Sequence, residues 1–157
     1  MPVLRFAAPK EGRSALITGG ARGIGRAAAI RIAEEGRDIA IADILDDEAA
    51  KTVSVIQALG QDAVHFPTDV TDESGVRETV RQTVDRFGRL DILVCCAGIL
   101  GWEKPFLEQS AEQFTKVMQI NVHGVYHAHQ AAIPHMLEQG WGRCVTITSG
   151  ARRGSTN

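Results

Sequence analysis

An α/β fold built on a doubly wound parallel sheet is what this 157-residue sequence predicts, and three observations carry the prediction. Short apolar runs that read as buried strands alternate with stretches of helical spacing, the pattern of a parallel sheet covered on both faces. A glycine-rich turn, Thr18-Gly-Gly-Ala-Arg-Gly-Ile-Gly25, directly follows the first apolar run. A second apolar run, one strand–helix unit later, ends in a carboxylate, Asp43.

The first strand is Ser14-Ala-Leu-Ile17. The turn after it uses glycine where a backbone takes φ > 0 or approaches a ligand with no Cβ in the way. Ile24, Ala28 and Ile32 follow at helical spacing, so a helix begins where a phosphate site needs one. The unpaired N–H groups and positive dipole end of that helix suit the pyrophosphate of a dinucleotide. Arg37-Asp-Ile-Ala-Ile-Ala-Asp43 is the second strand. Asp43 lies roughly twenty residues beyond the glycine turn, where an acid accepts hydrogen bonds from a ribose diol. A strand-end aspartate taken alone more often caps a turn; the glycine turn upstream decides for the ribose.

Ala49, Val53 and Ile56 form the stripe of the second helix, which Gly60 closes as a C-cap. Ala63-Val-His-Phe66 is the third strand, stopped by Pro67. Asp72 and Glu73 suit the first turn of the third helix, whose Val76, Val80 and Val84 face inward before Gly88. Leu90-Asp-Ile-Leu-Val-Cys95 is the fourth strand. Ser110-Ala-Glu-Gln113 is a capping-box pattern that opens one long helix to about Gln139, with a kink expected near Pro134. Arg143-Cys-Val-Thr-Ile-Thr148 is the fifth strand. Helical crossovers between these strands give the order 3-2-1-4-5, a Rossmann-type sheet with its ligand crevice at the switch between strands 1 and 4. The turn from Gly19 to Gly25, Asp43, Asp69, Gly98 and Ser149 then share one edge of the sheet.

Composition bounds the function. A net charge of −2, with 44% hydrophobic and 23% charged residues, describes an ordinary globular domain and gives no case for nucleic-acid or membrane partners. A domain of this size buries about 70% of its unfolded surface. No apolar run reaches the length of a membrane span. Residues 1–13 lack the apolar core of a signal peptide and read as a leader before a single domain, 14–157. Three cysteines, two of them adjacent at Cys95 and Cys96, make neither a disulfide framework nor a zinc spacing, and point to a reducing, cytoplasmic setting. His123 and His127 are one helical turn apart with His129 nearby, but no glutamate completes a His-Glu-x-x-His motif and no metal is expected.

Five motifs stand in order along the chain: Thr18-Gly-x-x-x-Gly-Ile-Gly25; Asp69-Val70; Asp91-Ile-Leu-Val-Cys-Cys-Ala-Gly98; Asn121 in Gln-Ile-Asn-Val-His-Gly; and Ser149 after Val-Thr-Ile-Thr. In this combination the chain resembles the classical short-chain dehydrogenase/reductase family from about Ser14 to its last residue. The resemblance implies hydride transfer between a nicotinamide cofactor and a secondary alcohol or ketone. Thr18, Gly19, Arg22, Gly23, Ile24 and Gly25 would be the cofactor loop, and Asp69, with the Val70 backbone beside it, would meet the adenine. Ala97 and Gly98 would leave room for the ribose. Ser149 and Asn121 would be the catalytic residues, Ser149 donating to the substrate oxygen and Asn121 admitting a water to a proton relay. Taken singly, Ser149 reads as a strand-end cap and Asn121 as a polar helix residue. The Asp43 carboxylate favours NAD over NADP, since it would repel a 2′-phosphate, although Arg22 is of a type that accompanies NADP in this family. The long helix would serve homo-oligomer packing, with His123 and His127 as interface residues. Ile99 to Phe106, with Trp102, would form one wall of the substrate pocket.

Two departures qualify the resemblance. The family's Tyr-x-x-x-Lys pair belongs after the serine strand, yet residues 150–157 contain neither tyrosine nor lysine, and the sole tyrosine, Tyr126, has Gln130 four residues on. Losing such a proton donor costs a factor of roughly 10²–10⁴ in rate. The resemblance therefore implies that the C-terminal part of the fold is absent, in a fragment or truncated form with an exposed sheet edge. Cys95-Cys96 replaces the usual asparagines, so the tie that the first of these makes between central strands is expected to be missing. Arg152 and Arg153 read as a solvated loop. The leading expectation is an NAD-dependent oxidoreductase; the alternative is a non-catalytic dinucleotide-binding module that lacks the Tyr/Lys pair. The glycine spacing disfavours a Rossmann-like methyltransferase.

Overall fold

The computed structural model describes residues 12–101 and 105–149, so residues 1–11 of the expected leader, Trp102, Arg152 and Arg153 lie outside the described residues. Five parallel strands form one sheet in the order β3-β2-β1-β4-β5, as the alternation predicts. They are β1 (Ser14–Thr18), β2 (Asp38–Asp43), β3 (Ala63–Pro67), β4 (Ile92–Cys95) and β5 (Arg143–Thr146). The helices are α1 (Gly23–Glu34), α2 (Asp46–Ala58), α3 (Glu73–Phe87), α4 (Ala111–Met118) and α5 (Gly124–Glu138).

Side chains alternate across the pleat, so the central strands feed two cores. Ala15, Ile17, Ile39 and Ile41 pack with Ala29, Ala33, Ala49 and Ile56 of α1 and α2. Leu16, Ala40 and Leu93 pack on the other face with Val76 and Val80 of α3 and Ala128, Ala132 and Met136 of α5. Pro67 ends β3 at an edge, where a residue without an N–H is tolerated. At the other edge every residue of β5 is exposed.

The inner face of α1 is made of its smallest residues. Ile24 is 64% exposed, and Gly25, Ala29 and Ala33 are the buried residues. Close approach decides this: a Cβ on Gly25 would stand 2.1 Å from Gly19 O, so the helix presents its smallest side chains to the sheet. The expected single helix over 110–139 is two helices joined by a π-turn at Gln119–His123. The interruption falls at Asn121 and not at Pro134, which lies inside an unbroken α5. Asp72, expected in the first turn of α3, is instead its N-cap, while Gly88 and the capping box stand where the sequence puts them. Asp72 accepts from Ser74 N, Gly88 takes φ 74° after α3, and Ser110 and Gln113 complete a reciprocal capping box.

Candidate functional site

A cavity of about 370 Å³ lies beyond the C-terminal ends of β1, β2 and β4, at the topological switch point. Gly19, Arg22, Gly23, Ile24, Gly25, Asp43, Asp69, Val70, Ala97 and Gly98 all line it. Sequence motifs scattered along the chain from Gly19 to Gly98 thus converge on one cleft, as a switch-point site requires.

The start of α1 is the anion-seeking part of this cleft. Its N-cap, Arg22, is extended with no side-chain cap, and no acidic residue occupies the first turn. By contrast α3 and α4 carry side-chain caps, and α2 has Asp46, Asp47 and Glu48 in its first turn. The N–H groups of Gly23, Ile24 and Gly25, which line the cavity, therefore stand at a positive dipole end with no acceptor among the described residues. Glycine is required by contact as well as conformation. Gly19 has φ +69°, and a Cβ there would stand 2.6 Å from Ala97 N.

The loop is pinned from behind. Gly19 N donates to Ala42 O at 2.8 Å, and Ala21 N donates to Asp43 Oδ2 at 2.9 Å. Leu45 N donates to Asp43 Oδ1 at 3.1 Å, and Thr52 Oγ1 donates to Ala21 O at 3.0 Å. Asp43, 8% exposed, is thus both a wall of the cleft and the fastener of the glycine loop. The sequence signalled only the first role. A carboxylate has about four acceptor positions, so the two bonds it receives leave capacity for a diol.

Three expected residues sit behind or beside the cavity and do not line it. Thr18 is buried, and its hydroxyl accepts from Cys96 N at 3.2 Å and Ala97 N at 3.3 Å. It positions Ala97 and Gly98. Asn121 pairs with the Ile99 backbone in both directions: Ile99 N donates to Oδ1 and Nδ2 donates to Ile99 O, each at 2.9 Å. Asn121 lies within the π-turn, and Gly98 stays small because a Cβ would lie 3.3 Å from Asn121 Oδ1. Ser149 is exposed and follows β5, two residues beyond Ile147 of the cavity wall. Asp69 is exposed and holds Thr71 N and Thr71 Oγ1 on Oδ1 at 2.9 and 2.8 Å. The Val70 carbonyl accepts from His127 Nδ1 at 3.0 Å.

Ile99, the first residue of the expected Ile99–Phe106 wall, lines the cavity, whereas sequence reading missed the rest of its bulky apolar lining: Ile44, Leu45, Ile120 and Ile147. Ile44 was visible as the residue after Asp43; the others come from elements whose approach only the fold sets. Among the described residues no group of three histidine, cysteine or acidic side chains is placed to hold a metal. No helix among them is long and apolar enough to cross a membrane.

The sheet is continuous where Cys95 and Cys96 replace the family's asparagines. β4 is laddered to β1 and to β5, and Thr18 O and Oγ1 both receive Cys96 N. Burial, aided by Cys144 and Cys96, pushes the Cys95 thiol up to about 12. Its folded pKa is raised, so the stability it carries is complete below the unfolded thiol pKa and is lost from about pH 9 to about pH 12. Between pH 8 and pH 10 the protein should lose about 1.4 kcal/mol more than Cys95→Ala does, by urea denaturation of both. Equal losses would contradict the assignment.

The family model of the short chain dehydrogenases matches residues 13–156. A 2-dehydro-3-deoxy-L-rhamnonate dehydrogenase (NAD(+)) of Sphingomonas sp. (strain SKA58) is 37% identical over 154 residues, which cover 97% of this chain and 60% of that protein. Among solved structures, an NAD+-bound xylitol dehydrogenase superposes with a TM-score of 0.89 at 34% identity, over 94% of this chain and 57% of its own. A short chain dehydrogenase from Mycobacterium paratuberculosis bound to NAD gives 0.87 at 35% identity, over 92% of this chain and 58% of its own. The chain therefore spans little more than half the length of these relatives.

Proposed function

This chain belongs to the short chain dehydrogenase family, and on that premise we propose that residues 14–157 are the dinucleotide-binding domain of an NAD-dependent oxidoreductase acting on a secondary alcohol or ketone. The observation that carries the proposal is the uncapped start of α1 opening into a cleft that Asp43 also lines. The residues fit the cofactor: Gly19 and Gly25 clear space that a Cβ would fill, and the free N–H groups suit a pyrophosphate. The N–H groups of Gly23, Ile24 and Gly25 would hold the phosphates, Asp43 the adenosine ribose and Asp69 the adenine. Ala97 and Gly98 would bed the second ribose. When bound, the cofactor supplies a hydride acceptor. Ser149 would donate a hydrogen bond to the substrate oxygen, and Asn121, by fixing the Ile99 loop, would position that side of the pocket. A reducing, cytoplasmic setting belongs to the same proposal, as all three thiols are free. So does a homo-oligomer that covers the exposed Tyr126, Ile133 and Leu137 of α5.

Asp43 gives the specificity test. Asp43→Asn removes the charge and leaves one accepting oxygen where two now receive Ala21 N and Leu45 N. It should weaken NADH binding by about tenfold to a hundredfold, as expected for losing hydrogen bonds to a charged group. It should also bring the NADPH and NADH dissociation constants at least about tenfold closer together, by fluorescence titration. An unchanged ratio would refute the role of the carboxylate. Binding joined to oxidation of secondary alcohols supports the oxidoreductase, and binding without turnover supports the non-catalytic module.

A further inference from the structure

The edge of the sheet opposite the cleft gathers guanidinium groups from four places in the chain. Arg13 precedes β1, Arg37 precedes β2, Arg89 precedes β4 and Arg143 opens β5. Burial and the charges of Arg37, Arg89 and Arg143 lower the pKa of Arg13, and Asp91 is the one acid that opposes them. Asp91 is already committed. Arg89 Nε and Nη2 each donate to it at 2.6 Å, and Ser14 N donates at 3.0 Å. Arg143 Nη1 donates to Gly142 O at 2.8 Å. Among the described residues, then, neither Arg13 nor Arg143 has an ion-pair partner at this corner, and Asp91 has none of its acceptors directed to Arg13.

Trp141 stands in the middle of the cluster. The Arg13 guanidinium lies 3.8 Å from its ring centroid and the Arg143 guanidinium 4.9 Å from it. Arg13 Nε and Trp141 Nε1 are shielded from solvent, and neither meets an acceptor among the described residues. Both atoms can only donate. An unmet buried donor costs about 1–3 kcal/mol, and more when charged. One missing species answers both the orphan donors and the unpaired guanidinium charge: an anion with several acceptor oxygens. Water would answer the donors and leave the charge.

We propose that the Arg13–Trp141–Arg143 corner binds a small oxyanion, phosphate or carboxylate, held by the Arg13 and Trp141 N–H groups and the Arg143 guanidinium. Such an ion would tie the entry to β1 to the turn between α5 and β5, across the intervening β4. It would thereby fasten the exposed edge strand at the end remote from the cofactor cleft.

The test is thermal denaturation of the chain in rising inorganic phosphate, and separately in acetate, at ionic strength fixed with sodium chloride. A saturable rise in Tm with either is expected: a rise with both assigns the site to oxyanions generally, and a rise with phosphate alone to phosphate groups. Trp141→Phe keeps the aromatic ring and removes one donor, and Arg13→Gln removes the charge. Each should weaken the apparent affinity by roughly tenfold or more. The readout is the anion-dependent shift, so a lower starting Tm in a variant does not mimic it, and Trp141→Phe suffices should Arg13→Gln not fold. The absence of saturation, or a shift that folded variants retain in full, overturns the proposal, because phosphate also stabilises proteins without binding a site.

Discussion

Gly25→Ala is expected to weaken NAD binding by about a hundredfold or more, the loss of two hydrogen bonds to charged oxygens. The added Cβ would stand 2.1 Å from Gly19 O and 2.8 Å from Gly19 C, and both are backbone atoms that cannot swing aside. Gly19 itself cannot retreat. Its N–H is tied to Ala42 O at 2.8 Å, and its own α-carbon is packed against the Ala97 backbone. The start of α1 must therefore shift, and the N–H groups it aims into the cleft shift with it. Overpacking of this kind also costs roughly 1–3 kcal/mol of stability. Gly23 supplies the contrast. It has φ +57°, but nothing lies within 4 Å of where its Cβ would stand, so Gly23→Ala carries only the left-handed backbone penalty, about 1–2 kcal/mol. Isothermal titration with NAD on both variants separates the two cases. Equal affinities for Gly25→Ala and the parent would show that the loop does not hold the phosphates.

Asp91→Ala is expected to cost about 3 kcal/mol of stability, measured by urea denaturation, while the folded protein keeps its NAD affinity. Asp91 is fully buried and accepts both prongs of Arg89 and the Ser14 N–H. Around it Asp91 N donates to Ser14 O at 3.2 Å, Arg143 N donates to Asp91 O at 2.8 Å, and Ser14 Oγ donates to Arg89 O at 2.6 Å. One residue thus joins β1, β4 and β5. Removing one member of a buried ion pair costs about 3–5 kcal/mol, and the lower end applies because the Arg89 side chain is 35% exposed and can turn to water. The pair Arg86–Asp62 has similar bonds at 2.9 Å but is exposed on both sides, so Arg86→Ala should cost clearly less than Asp91→Ala. A loss below about 1 kcal/mol for Asp91→Ala would show that the strand ladders alone hold this edge.

Much of this was legible because it depends on neighbours in sequence. Strand and helix alternation, the Ser110–Gln113 capping box and the Gly88 stop are all local. The glycine turn and Asp43 were legible as a pair because one strand–helix unit fixes their spacing. What the sequence misread depends on contacts between distant segments. The inner face of α1 is set by the approach of Gly25 to Gly19, which the helical spacing of Ile24, Ala28 and Ile32 does not reveal. The break between α4 and α5 follows the pairing of Asn121 with Ile99, a contact that no helical period encodes. Asp91 looked like a polar residue inside a strand run, and its partners, Ser14 and Arg89, become meaningful only once β1 and β4 lie side by side. Thr18 belonged to the right motif, but the fold turns its hydroxyl toward β4 and away from the cavity.

The central claim is that the start of α1 is a phosphate seat in a dinucleotide cleft. Amide NMR of the isotope-labelled chain, titrated with NAD, tests it residue by residue. Saturable shifts are predicted to be largest at Gly23, Ile24 and Gly25, with a second group at Asp43, Asp69 and Gly98, and none at Ser14 or Trp141. Saturable shifts centred elsewhere, or a spectrum that NAD leaves unchanged, would contradict it.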